Sequence, residues 1–211
     1  AAPLFCPGIT AYMAVKASEL KPGKTVGIFG VGGVGHLASQ IAKIYGARAI
    51  AASRAKKHID FSKKLGADNV VVYQDSQEHF LKNLKDQEGL LDSAIVFAPS
   101  DKVIETAIRS VKNGGIIVLG VRGNISNFPT FEEKIVKGSV IGTRKDMADL
   151  VKLASSSGLQ VIIETHRLQE ANQVLMRLKK SQVEARAVLI PQILHAYTTP
   201  IRCELFASTD A

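Results

Sequence analysis

The sequence predicts an α/β fold: a doubly wound, parallel sheet of six strands that carries a small C-terminal αβ appendage. Three observations predict it. Short β-type apolar runs alternate with amphipathic helical runs along most of the chain, the order that builds a parallel sheet with right-handed crossovers. The apolar runs are nearly continuous, as in Ile116-Ile-Val-Leu119, and so suit strands covered on both faces. Glycines stand where helix C-caps belong, at Gly46, Gly66 and Gly114.

Taken in order, the first strand is predicted over 25–30, followed by a helix over 34–45 whose Ile41, Ile44 and Tyr45 recur at helical spacing. A strand over 48–53, a helix over 56–65, a strand over 69–72 and a helix over 76–87 continue the alternation. Next come a strand over 93–97, a helix over 102–111 with Val103, Ile104, Ala107, Ile108 and Val111 at helical spacing, and strands over 115–121 and 139–142. The sheet domain is expected over 22–158, after a linker and helix over 1–21. Beyond Gly158, a strand over 161–164, a helix over 168–180 and a strand over 185–190 make a return segment, 159–190, too small for a core of its own. The stretch 191–211 has little periodicity and is expected to be loosely ordered.

Composition narrows the classes. The 211 residues are 46% hydrophobic and 22% charged, an ordinary globular balance. The net charge of +8 raises nucleic acid as a partner, but the lysines fall on predicted helix faces, aromatics are 6% and Trp is absent. No basic stripe with stacking aromatics results, so the expectation is no nucleic acid. No apolar run approaches the roughly 20 residues that span a bilayer, and Lys16, Lys21 and Lys24 interrupt the early apolar stretch, so neither a membrane span nor a secretory leader is read. Two cysteines, Cys6 and Cys203, give no disulfide framework, and the expected setting is reducing and cytoplasmic.

The most informative segment is Thr25-Val-Gly-Ile-Phe-Gly30-Val-Gly32-Gly33-Val34-Gly35-His36. A G-x-G-x-x-G alone is weak, but here a strand leads in, a helix follows and a second strand arrives at the right distance, the full context of a Rossmann dinucleotide fingerprint. Gly30 permits the tight turn, Gly32 lets backbone approach a pyrophosphate, and Gly35 lets helix and strand pack closely. Free N–H groups at the helix start, with Gly33 and Val34 in the loop, complete an anion site.

Several stretches together resemble the zinc-dependent, medium-chain alcohol dehydrogenases, of the cinnamyl-alcohol and bacterial types. They are Ala1-Ala-Pro-Leu-Phe-Cys6-Pro-Gly8-Ile-Thr10, Leu20-Lys-Pro-Gly23 with the glycine loop, Lys64-Leu-Gly-Ala-Asp68, Gly142-Thr-Arg-Lys-Asp146, and Glu164 through Ile190. The resemblance covers roughly 1–191 and implies hydride transfer between an alcohol or aldehyde and a nicotinamide cofactor. It implies that Ala98 borders the adenosine, that Gly120 and Val121 line the nicotinamide with backbone groups, and that Arg186 holds the pyrophosphate. It makes Cys6 the third ligand of a catalytic zinc. The other two ligands belong, in the family, to a preceding GroES-like catalytic domain, so by resemblance this chain is a fragment, catalytically incomplete on its own, and zinc belongs to an intact homologue. Family members also pair cofactor domains through the last strand, which implies a homodimer through 139–142.

At the end of the second predicted strand, NAD sites place a carboxylate on the ribose hydroxyls. Here Ser53 stands there, followed by Arg54 and, nearby, Lys57. A serine and two cations accept a 2′-phosphate that a carboxylate would repel, so NADP is favoured over NAD. Three other readings are weighed. Tyr12-x-x-x-Lys16 has the spacing of the short-chain dehydrogenase pair, but it precedes the loop and reads as helix packing. A dinucleotide-binding module without catalysis is the second. A zinc-independent quinone-reductase-like enzyme is the third, and Cys6 argues against it.

Overall fold

The computed structural model describes residues 1–53, 56–65, 67–73, 76–180, 182–183 and 185–191, with only the backbone described over 56–59. Its strands β1 (Thr25–Phe29), β2 (Arg48–Ser53), β3 (Asn69–Val72), β4 (Leu91–Val96), β5 (Val111–Leu119) and β6 (Ile135–Gly138) form one parallel sheet ordered β3-β2-β1-β4-β5-β6. The helices are α1 (Pro7–Ala17), α2 (Gly35–Ile44), α3 (Lys56–Lys64), α4 (Gln77–Glu88), α5 (Asp101–Ser110) and α6 (Arg144–Ser157). This is the predicted doubly wound sheet, in the strand order of a dinucleotide-binding domain.

Alternation of side chains along each strand divides the core in two. On one face Val26, Ile28, Ile95 and Val118 meet Ile9, Tyr12 and Val15 of α1, Leu37 and Ile41 of α2, and Leu150 of α6. On the other, Phe29, Ile50, Val71, Val96 and Ile117 meet Phe80 and Leu84 of α4 and Ile104 and Ile108 of α5. Charges fasten the amino ends of the strands. Asp92 in β4 accepts from the Thr25 N–H at 2.9 Å and from the Lys24 and Lys112 ammonium groups at 3.1 Å each. Asp68, in the Leu-Gly-Ala-Asp stretch, accepts from the Ala49 N–H and from Lys43, both at 2.8 Å, and so ties α2 and β2 to the chain entering β3.

Several predicted elements need correction: the fifth strand runs 111–119 rather than 115–121, the first strand of the return segment 163–167 rather than 161–164, and two differences are larger. The sixth strand is 135–138 rather than 139–142. Its register is set by its neighbour: β5 ends at Leu119, which pairs with Gly138, and only the Ser139 N–H reaches one carbonyl further, that of Leu119. Val140 and Ile141, whose β-branching suggested the strand, lie beyond the ladder and are exposed. The sequence reading also placed no helix over 144–157, where α6 stands. Its start is a capping box: Thr143 N–H and Oγ1 donate to Asp146 Oδ2 at 2.9 and 2.7 Å, and the Asp146 N–H donates back to Thr143 Oγ1.

The return segment forms a separate two-stranded parallel sheet of β7 (Ile163–Arg167) and β8 (Arg186–Ile190), with a one-turn 3₁₀ helix, Leu168–Glu170, leading into α7 (Ala171–Lys179). Gln40 of α2 anchors it by donating to the Gln160 carbonyl and accepting from its N–H, at 3.0 and 2.9 Å. Apart from Pro191, the expected tail falls outside the described residues. Among those described, no helix is long and apolar enough to cross a membrane.

Asp146 also accepts from Lys16 of α1 at 2.7 Å, and Lys16 with the Thr143 donors holds its carboxyl below the usual range. A carboxyl depressed in the folded state stabilises above its unfolded pKa of about 3.9, and that contribution is lost as pH falls through the lowered value. Asp146→Asn should therefore remove part of the acid-induced loss of stability below pH of about 4, read by urea unfolding across pH. Thr143→Ala should cost about 1 kcal/mol in the same assay at neutral pH, through the lost cap.

Candidate functional site

The strand order reverses between β1 and β4, and a crevice opens beyond their carboxyl ends, the place where open α/β sheets take ligands. Backbone bonds carry the ladder past the strand ends: Gly30 N–H to the Ala52 carbonyl at 3.2 Å, and Phe97 and Ala98 N–H to the Phe29 carbonyl at 2.8 and 3.2 Å. These set Gly30 and Ala98 side by side. A Cβ on Gly30 would lie 2.9 Å from the Ala98 nitrogen, and its φ of +101° also requires glycine. A Cβ on Gly35 would lie 2.1 Å from the Gly30 carbonyl oxygen, so only glycine lets α2 begin directly against the end of β1. No side chain caps the start of α2, where Val34 is the N-cap residue, and its first N–H groups keep their partial positive charge for an anion.

A cavity of about 550 Å³ occupies this crevice. Of the residues singled out from the sequence, Gly30, Gly32, Gly33, Val34, Gly35, Ser53, Ala98 and Arg186 line it. Gly120 and Val121 follow β5, two strands from the glycine loop, and do not form its wall. Arg54 and the Lys57 side chain lie outside the described residues. The sequence reading missed Tyr73, Phe97, Pro99, Val103 and Leu178, which supply apolar wall. Tyr73 follows β3, packs 5.2 Å from the Phe80 ring and has its hydroxyl 3.2 Å from Thr106 Oγ1. Its place just after a parallel strand is the signal that could have found it.

The C-terminal segment closes one side of the loop. Arg186 Nε donates to the Gly33 carbonyl at 3.1 Å, and a Cβ on Gly33 would collide with that nitrogen at 2.6 Å and with the Ala185 carbonyl at 2.8 Å. Burial draws the guanidinium down from its ordinary value, while neighbouring Cys6 opposes that shift. His36 is wholly buried at the start of α2. Burial lowers its pKa, the Gly32 bond opposes this and Arg186 adds to it, so the ring is neutral at pH 7.

Cys6 is a free, exposed thiol at the N-cap of α1, and among the described residues no three His, Cys, Asp or Glu side chains come together as a metal site. These residues alone do not fit a catalytic zinc, which takes about three protein ligands. The Tyr12–Lys16 pair is packing: Tyr12 is buried in α1, with the Lys16 ammonium 5.4 Å from its ring centroid and held by Asp146.

A family model described as zinc-binding dehydrogenase matches residues 33–156. The chain belongs to that family. An alcohol dehydrogenase of Geobacillus stearothermophilus is 37% identical over 193 residues, covering 89% of this chain and 56% of the relative. Among solved structures, the alcohol dehydrogenase of the hyperthermophilic archaeon Aeropyrum pernix superposes with a TM-score of 0.82 at 35% identity, over 90% of this chain and 57% of that one. Acetophenone reductase of Geotrichum candidum, solved in complex with NAD, gives 0.77 at 25% identity, over 89% and 54%. The chain thus spans little more than half the length of the dehydrogenases it matches.

The loop geometry separates folding from binding. Gly35→Ala should destabilise the protein by about 1–3 kcal/mol, because the atom it strikes is backbone. Gly32→Ala, whose Cβ would meet nothing within 4 Å, should stay within about 0.5 kcal/mol of wild type. Thermal and urea unfolding of the two variants checks both.

Proposed function

We propose that this chain is the cofactor-binding part of a zinc-type alcohol dehydrogenase, that it takes NADP in preference to NAD, and that the whole enzyme transfers hydride between an alcohol and its aldehyde or ketone. The observation that carries the cofactor choice is Ser53: it lines the cavity at the end of β2, where an NAD site would hold a carboxylate. Bound nicotinamide would supply the hydride chemistry. The chain's own part is to bind and orient it: the 30–35 loop and uncapped α2 on the pyrophosphate, Arg186 beside them, and Ser53 with Arg54 and Lys57 at the 2′-phosphate. Ala98 would border the adenosine, and Gly120 and Val121 the nicotinamide. Cys6 we read as a zinc ligand that needs partners from elsewhere in an intact homologue. The edge that would pair two cofactor domains is then β6, which among the described residues has a ladder partner only in β5.

One observation favours a second reading, a dinucleotide-binding module without turnover: the described residues bring no metal-ligand group together. Adding NADP, zinc and an alcohol series to the purified chain tests both: each reading expects binding without reduction of the cofactor, and zinc-dependent turnover by the chain alone rejects the module and the incomplete site alike.

The cofactor assignment predicts a graded set of affinities. A charge-assisted hydrogen bond contributes about 1.5–3 kcal/mol, so Arg54→Ala should weaken NADP roughly ten- to a hundredfold and leave NAD nearly unchanged. Ser53→Asp should invert the preference. Gly32→Ala should weaken both cofactors at unchanged stability, because its Cβ points into open space beside the cavity. Calorimetric titration of both cofactors into these proteins decides: equal affinity of wild type for NAD and NADP rejects the assignment.

A further inference from the structure

The Gly32–Gly33 peptide joins two glycines of the candidate site. Neither residue carries a Cβ to restrict its backbone, so whatever fixes this peptide must come from outside it. The adjoining Gly33–Val34 peptide is held by Arg186 Nε on the Gly33 carbonyl. The Gly32 carbonyl accepts from the backbone N–H of His36 at 3.2 Å and, more closely, from the His36 ring, whose Nδ1 lies 2.8 Å away. A carbonyl oxygen only accepts, so Nδ1 carries the proton and Nε2 is left with its lone pair. That Nε2 is buried and, among the described residues, has no partner. The ring packs against Phe61, with centroids 5.7 Å apart, and a leucine or phenylalanine would fill this space without orphaning an acceptor, which is destabilising. Packing therefore does not explain a histidine here; its Nδ1–H does.

We propose that His36 is a positioning residue for the cofactor loop: it holds the Gly32 carbonyl toward the first turn of α2 and so orients the Gly33 N–H for the pyrophosphate. The linkage is geometric. Among the described residues there is no cis peptide, and across a trans peptide the N–H points opposite to the carbonyl. With the Gly32 carbonyl drawn to the helix, the Gly33 N–H faces away from it, at a residue that lines the cavity. The inference rests on the dinucleotide reading of this site and adds to it the residue that keeps the loop from flipping.

Two substitutions separate the hydrogen bond from the packing. In His36→Asn the side-chain amide nitrogen stands the same number of bonds from Cα as Nδ1 and keeps a donor, but the ring contact with Phe61 is lost. In His36→Leu apolar bulk remains and the donor is lost. Calorimetric titration with NADP and NAD, with thermal unfolding of the same samples, should give crossed orders. The leucine variant should be the more stable of the two yet bind both cofactors roughly two- to tenfold more weakly than wild type, the worth of one hydrogen bond, while the asparagine variant binds within about twofold. In ligand-free protein, the Gly33 and Val34 amide resonances should broaden or double in His36→Leu and not in His36→Asn. Equal cofactor affinity of wild type and His36→Leu, or affinities that follow stability in both variants, overturns the role of His36 alone. Wild type that binds neither cofactor overturns the dinucleotide reading and this inference with it.

Discussion

Everything at the carboxyl end of the sheet depends on how closely α2 abuts β1. The space between the Gly30 carbonyl and the Gly35 α-carbon admits a hydrogen and nothing larger. Because of it, the helix starts directly over the point where the strand order reverses, and the positive end of its dipole faces the crevice. A longer loop would move the helix dipole off the site and leave a cleft between apolar walls with no positive end to attract an anion. Ser53 and Ala98 take their places by the same logic, each ending a strand hydrogen-bonded to β1 or continuing that ladder.

The second dependence is on a segment far along the chain. The return segment is too small to fold as a core, yet it contributes Leu178, Ala185 and Arg186 to the cavity. Among the described residues, Leu159 and Val161 pack on the main core, and polar contacts add to the docking: the paired bonds between Gln40 and Gln160, and Arg186 on the Gly33 carbonyl. Ala185 and Arg186 also explain why the fourth position of the loop, Gly33, is glycine, which the general fingerprint leaves open. This loop is shaped from both sides, by its own helix and by a strand that pairs with a different sheet.

The sheet was legible in the sequence because its strands are apolar on both faces and its helices show one greasy side. The failures are as physical. Helix α6 opens on Arg144, Lys145 and Asp146, and of its 14 residues only Leu150 is fully buried, so its apolar period is weak; the Thr143 to Asp146 box was the available signal. The last strand was misplaced because Val140 and Ile141 look more like a strand than Glu133 to Lys137 do, whereas the end of β5 decides where pairing stops. Of the site, the glycine loop was readable as a motif and Ser53 as the end of a strand. Arg186 could be named only by resemblance. Tyr73 and Leu178 carried no motif, since tertiary packing alone brings the ends of β3 and α7 to one cavity. The glycine spacing says that a helix begins at Gly35; it does not say that His36 turns its ring back onto the loop.

The cluster around Asp92 gives the sheet two unlike ends. At the amino end one carboxylate draws in the Thr25 N–H and two ammonium groups, joining β1, β4 and β5. At the carboxyl end, among the described residues, backbone bonds from Phe97 and Ala98 to the Phe29 carbonyl, and no comparable charged cluster, hold β1 to β4 beside the crevice. Thermal opening of the central strands should therefore be lopsided, like a hinge with its pin at the charged end, with amides near Phe29 and Val96 exchanging through smaller excursions than those near Thr25 and Asp92. A dinucleotide laid across the crevice would act as the missing second pin. Rigidity of the core would then be a property that the folded chain shared with a bound dinucleotide rather than one it held alone.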